Sequence, residues 1–354
     1  MVNKINVCRP PRGGRSDARL TGATVENATY SKFCLLVREI VLNKLLDEAE
    51  HDRESSRKVV EEVWRRGNFS TIAKGTKFSR VAGADASSYS FPLSSRFLAV
   101  VSAVIYRLPS ARRFFIPPIV FEIPHLISDE KFGEILCLRR EAFMYQTASE
   151  FLKRHGGDVE LILVDGPLVF SGWYSGIGEE RDRRKLSSNV NELLNLCEEG
   201  GIAIAGVVKR PTARYYLKCL GLEEETSLSD SAILVHILKR GGRTELFSPA
   251  SPFMDRIDFL IDSFYARLSN IEIVSPVRID IPKFSRSHVD DIAGYCYRTA
   301  FSFGLPLLII KADEEARLTV DFMREIYGEA LCRLKREFGD GSWLSLRERR
   351  WLRE

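Results

Sequence analysis

Residues 159–168 read VELILVDGPL. From Val159 to Val164 the run is apolar at every position but Glu160 rather than alternating, the pattern of a strand buried on both faces, and such strands belong to parallel sheets covered by helices. It stops at Asp165, where a Gly-Pro pair forms a turn. On its N-terminal side, EKFGEILCLRREAFMYQTASEFLKR (residues 130–154) sets Ile135, Leu138, Phe143 and Ala148 at helical spacing and ends before Gly156 and Gly157. On its C-terminal side a helix over 185–199 leads to GIAIAGVVKR, a second apolar strand with Lys209 just past its end.

The same alternation extends in both directions. Segments 80–85, 97–107 and 114–123 are rich in β-branched and aromatic residues between Pro, Ser and Gly signals, and predict three adjoining strands. Before them, Phe33, Leu35, Leu36, Ile40, Val41, Leu45, Leu46, Val59, Val60, Val63 and Trp64 predict one or two amphipathic helices over 31–66. Later come SDSAILVHIL, the strand SPVRIDIP, a helix from near His288, and LPLLIIKADEEARL, apolar from Leu305 to Ile310 and read as a further strand. Strands alternating with helices make this an α/β chain with a central sheet flanked by helices. The expected division is a disordered basic arm (1–30), an N-terminal helical segment (31–70), one catalytic-sized domain (71–335) and a basic C-terminal tail (336–354).

The 354 residues carry 52 Lys and Arg against 48 Asp and Glu, a formal charge of +4. That total does not decide nucleic-acid binding; local runs such as RDRRK at 181–185 and KRPTAR at 209–214 are where phosphates would be met. Seven cysteines lie far apart with no CxxC pair, which argues against a zinc ribbon. With no apolar run long enough for a bilayer and no signal-peptide pattern, the expected location is the cytoplasm, with no membrane partner.

Three acids share one pattern. Asp85 in VAGADASSYS, Asp165 in LILVDGPL and Asp313 in LLIIKADEEARL each follow an apolar run, at the strand ends where α/β sheets hold ligands. A helical acid, Glu141, is also available, with Glu134 and Glu150 as alternatives on the same helix. Neighbouring carboxylates repel unless a cation neutralises them, and an all-oxygen set without matching His or Cys suits Mn²⁺ or Mg²⁺. Two such ions about 3.5–4 Å apart are a common device for phosphodiester hydrolysis. Lys209 would then steady charge on the scissile phosphate.

In order along the chain, GADASS, LRRE, LILVDGPL, GVVKRP, LSDSAIL, VRIDIP and GLPLLIIKADEEARL resemble the NurA nucleases over residues 78–320. The resemblance implies an RNase H-like core with a mixed sheet and a Mn²⁺-dependent deoxyribonuclease. Such an enzyme acts on single-stranded DNA and duplex ends, 5′ to 3′, in end resection for recombinational repair. It also implies a homodimer that works with the hexameric HerA ATPase. Position by position, Asp85, Glu141 and Asp165 look like the family's metal-binding acids, Lys209 like its lysine, and Tyr215 or Tyr216 like the aromatic after it. Arg210 and Arg214 lie in the same basic segment and are expected at the nucleic acid. One departure is clear: Asp313 stands where the family has a histidine.

Other residues admit plainer readings. Ser229 and Asp230 before an apolar run look like a helix cap, and His288 looks like a surface or capping residue. Phe91, Tyr106, Phe114 and Phe115 could stack on unpaired bases, but their strand spacing favours the core. Two rival functions remain at this level: a DNA-binding or HerA-docking subunit with little catalysis, and an actin-like ATPase using GADASS as a phosphate turn. The latter expects a glycine at position 87, which is serine.

Overall fold

The structure, a computed structural model, describes residues 30–93, 96–124 and 128–339. The predicted arm (1–30), Tyr30 excepted, and the end of the basic tail, 340–354, lie outside them. Helix α1, Tyr30–Arg66, is one continuous helix of 37 residues. No Gly or Pro interrupts it, and Arg65 and Arg66 face the negative end of its dipole. The chain divides into residues 1–54 and 55–354. In the first unit, Phe33, Leu35, Leu36, Ile40, Val41, Leu45 and Leu46 are exposed. In the second, Val59 and Val63 are buried.

The described residues of the second unit contain one ten-stranded mixed sheet. Its strands are β1 (Phe69–Thr71), β2 (Val81–Pro92), β3 (Arg96–Leu108), β4 (Arg112–Phe114), β5 (Ile119–Pro124), β6 (Leu161–Val164), β7 (Ala203–Val208), β8 (Gly242–Thr244), β9 (Ile261–Ala266) and β10 (Val277–Pro282). Their order is β1-β8-β9-β10-β7-β6-β2-β3-β4, with β5 also paired to β3. Only β2, β6 and β7 run parallel to one another; the other pairings are antiparallel. The helices are α2 (Asp129–His155), α3 (Trp173–Gly176), α4 (Glu180–Glu199), α5 (Tyr215–Cys219), α6 (Asp230–Leu234), α7 (Val289–Thr299), α8 (Leu307–Ala316) and α9 (Val320–Phe338).

Side chains alternate across a strand, so the parallel centre feeds two cores. Ala82, Ala84, Ile162, Val164 and Ile204 pack with residues of α2 and α4. Val81, Leu161, Leu163, Ala205 and Val207 pack with residues of α7 and α8. Both-face burial of β6 is the feature that VELILVDGPL announced.

Several expected elements take another form. Strand β2 runs on to Pro92, so Asp85 lies within a 12-residue strand rather than at a tip, and GADASS makes no phosphate turn. The expected strand over 114–123 is two strands, parted where Pro117 and Pro118 remove ladder donors. The largest difference is at 305–310, within which helix α8 begins at Leu307. Its buried residues Leu308, Ile309, Ala312 and Ala316 recur at helical spacing; the short apolar run alone carries no period, and Ala312 and Ala316 complete the stripe.

Candidate metal centre

Parallel pairing sets Ala84 of β2 opposite Val164 of β6, and the Asp165 N–H donates to the Ala84 carbonyl at 2.8 Å. The next residues on the two strands, Asp85 and Asp165, therefore stand side by side. Asp313 arrives from α8. That helix lies hard against β2 because Gly83 has no side chain; a Cβ there would sit 2.7 Å from the Leu308 carbonyl oxygen. One carboxylate oxygen from each of Asp85, Asp165 and Asp313 lies within 4.8 Å of the others. From α2, Glu141 and Arg140 join them around a cleft of about 210 Å³. Lys209, just past β7, pairs with Asp165 and lies 3.4 Å from Asp313.

The charges in this cleft are strongly perturbed. Burial, and then the neighbouring Asp165, push Asp85 up to about 9. Burial pushes Asp165 up to about 6, against the pull of Lys209. Asp313 is more open: its burial is outweighed by Arg317, 2.5 Å away, and Lys209, which hold it below the ordinary value. Burial of Lys209 works against its charge, but Asp165, Asp313 and Asp85 hold its pKa above the usual range. Glu141 pairs through Oε1 with Arg140 at 2.9 Å. Its buried Oε2 has no hydrogen-bond partner among the described residues.

The family model for the NurA domain matches residues 79–318, a span that holds all four acids and Lys209. The chain belongs to the NurA family. No curated protein sequence matches it. Among solved structures, the NurA nuclease from Sulfolobus solfataricus is similar with a TM-score of 0.61 at 17% identity, over 88% of this chain and 99% of that one. A NurA crystallised with manganese aligns with a TM-score of 0.51 at 13% identity, covering 83% of this chain and 97% of that one. Another, bound to dAMP and manganese, gives 0.51 at 11% identity, covering 92% and 99%. At these identities the likeness establishes the NurA fold.

Within this NurA chain the other expected residues fall apart into separate places. Of the three acids on α2, Glu141 lines the cleft, whereas Glu134 accepts from the Gly178 N–H and Glu150 pairs with Lys153. Arg210 is exposed beside a second cleft that begins at Lys209. Arg214 is tied to the carbonyls of Glu223 and Thr226. Tyr215 is half-buried under the Arg278 guanidinium. Tyr216 corrects its expectation: it is 5% exposed and packs in a core with Leu217, Phe247 and Tyr265, out of reach of a base. Phe91 is likewise buried, while Phe115 is exposed. Ser229 caps α6 by accepting from the Ala232 N–H. Asp230 is buried and accepts from the Tyr216 and Leu217 N–H groups and the Tyr265 hydroxyl. His288 packs against Phe78.

Two cations that pair with acids of the cleft were missed by sequence reasoning. Arg140 stands in LRRE next to the acid that was singled out, and its charge there was the available signal. Arg317 follows Asp313 by four residues, which on a helix is a neighbouring position; reading the segment as a strand hid it.

Proposed function

We propose that this protein is a divalent-metal-dependent nuclease that hydrolyses DNA phosphodiester bonds at Asp85, Glu141, Asp165 and Asp313. The observation that carries the reading is the convergence of three carboxylates within 4.8 Å, with a fourth acid on the wall of the same cleft. Acids so close repel unless protonated or bound to a cation. The donors fit Mn²⁺ or Mg²⁺: all are carboxylate oxygens, and the buried Oε2 of Glu141 is unpartnered among the described residues, in keeping with an oxygen kept for an ion. These four residues would hold the metal. When bound, such ions polarise a phosphoryl oxygen and make water a better nucleophile.

The remaining chemistry belongs to the chain. The β2–β6 register and α8 fix the acids before substrate arrives, so little reorganisation is needed at reaction. Lys209 stays charged and lies where it can meet the scissile phosphate. Asp313 stays ionised, so the position where the family has a histidine transfers no proton here. The second cleft, about 460 Å³, continues from Lys209 and offers Arg210, Thr212, Ser275 and Phe303. That composition suits a single strand, with cations for phosphate and an aromatic ring for a base; the dAMP-bound NurA supports the same ligand class.

The finer parts of the proposal rest on NurA membership. They are action on single-stranded DNA and duplex ends, 5′ to 3′ exonuclease and single-strand endonuclease cutting, a role in end resection and recombinational repair, a HerA hexamer as partner and a homodimer as the working unit. A second reading, a DNA-binding subunit with little turnover, rests on Asp313 replacing the family histidine. Cleavage of 5′- and 3′-labelled single-stranded DNA with Mn²⁺, Mg²⁺ or chelator tests both, with Asp85→Asn beside the native chain. Mn²⁺-dependent products lost in the variant support the nuclease. Binding without cleavage by the native protein, with or without HerA, overturns it in favour of the second reading.

A further inference from the structure

A buried ion pair on β10 grips the loop that carries Asp165. Arg278 and Asp280, 4% and 0% exposed, point to the same side of the strand. Asp280 lies directly opposite Gly206 of β7. Gly206 leaves a gap that the loop fills: a Cβ there would meet the Gly166 carbonyl oxygen at 2.7 Å and the Leu168 nitrogen at 2.9 Å. Through that gap Asp280 Oδ2 accepts the N–H groups of Leu168 and Val169, at 3.1 and 3.0 Å. Arg278 donates to the Val169 carbonyl at 3.1 Å, so this residue is held by both its N–H and its C=O.

The carboxylate has no capacity left for a metal. Its Oδ1 takes the Ser263 hydroxyl at 2.7 Å and Arg278 Nε at 2.8 Å, and Oδ2 takes a second Arg278 nitrogen at 3.0 Å. Nearer to Asp165, the Tyr145 hydroxyl donates to the Pro167 carbonyl. Asp165 itself is tied to β2 through its N–H. The turn Asp165-Gly166-Pro167 is therefore pinned at both ends. Arg278 also lies over the Tyr215 ring, 5.3 Å from its centroid, and so touches the segment that follows Lys209. Stability alone is a poor account of the pair, because buried ion pairs are often replaceable by apolar residues at little cost. What apolar residues do not supply is a partner for two buried N–H groups.

We infer that Arg278 and Asp280 are positioning residues that hold Asp165 at the carboxylate cluster from two strands away. The inference rests on the metal-nuclease reading of that cluster. The test compares the full-length protein with Arg278→Met/Asp280→Leu and with the milder Asp280→Asn. Amide exchange over residues 165–170, free Mn²⁺ by electron paramagnetic resonance, and thermal melting are measured on each. Expected is faster exchange confined to that loop and a 10- to 100-fold loss of Mn²⁺ affinity, the range for outer-shell partners of a metal ligand, in variants that still melt cooperatively. A folded double variant with native Mn²⁺ affinity overturns the inference and leaves the nuclease reading standing. If the double variant does not fold, the same criteria apply to Asp280→Asn. If the native protein itself binds no Mn²⁺, the nuclease reading falls; unchanged loop exchange in the variants then overturns the clamp as well.

Discussion

Asp85 is expensive where it stands, and that expense is measurable. Its native pKa of about 9 lies far above the ordinary 3.8, so folding takes up a proton between those values. The stability tied to this group is complete below about pH 4 and is lost as pH rises toward 9. Asparagine removes the charge and keeps the shape. Asp85→Asn is therefore expected to melt higher than the native protein in the absence of metal, by at least roughly 2–4 °C, the shift that about 1 kcal/mol produces in a domain of this kind. The gap should widen between pH 5 and 8. A variant that melts at or below the native protein across that range contradicts the account. The same protons compete with a cation at Asp85 and Asp165, so Mn²⁺ affinity should climb steadily from pH 6 to pH 8. Calorimetric titration at several pH values reads this directly, and a flat profile would disprove it.

At the scale of elements, glycine decides how closely α8 approaches β2. Gly83→Ala drives a methyl group against the Leu308 carbonyl, and overpacking of this kind costs about 1–3 kcal/mol. Because α8 carries Asp313, the variant should lose both melting temperature and Mn²⁺ affinity. Gly133→Ala on α2 is the contrast: an added Cβ there has nothing within 4 Å, and alanine in a helix gains about 0.5–1 kcal/mol over glycine. Melting curves that fail to order the two variants on opposite sides of the native protein would refute this packing account. These elements also mark what a sequence can reveal. The α/β class was legible because LILV is apolar at every position, and Asp85 and Asp165 were legible as acids beside apolar runs. Asp313 was found for the wrong reason, since its helix shows only when Ala312 and Ala316 are counted with the run. The clamp at Asp280 was not legible, because it depends on Gly206 being the residue opposite, a matter of antiparallel register between strands about 70 residues apart.

At the scale of the whole molecule, the proposed homodimer gives α1 a role. From Tyr30 to Leu46 its exposed residues include Phe33, Leu35, Leu36, Val37, Ile40, Val41, Leu42 and Leu45. Exposed apolar residues concentrated along one stretch of helix favour a protein partner. In the proposed homodimer a second copy of this chain would cover these residues through the same surface on both subunits, as a two-fold interface requires. Light scattering after size-exclusion chromatography should therefore give a dimer. Leu36 and Ile40 lie one turn apart on one face, and Leu36→Glu/Ile40→Glu would place four carboxylates in the dimer interface. Unpaired buried charges cost several kcal/mol each, so the dissociation constant should rise about 1,000-fold or more at 1.4 kcal/mol per decade. The residues of the carboxylate cleft lie between 85 and 313 and do not include α1. Mn²⁺ binding should accordingly survive in the monomeric variant. A variant that remains dimeric, or a native chain that is monomeric at micromolar concentration, would overturn self-association through α1.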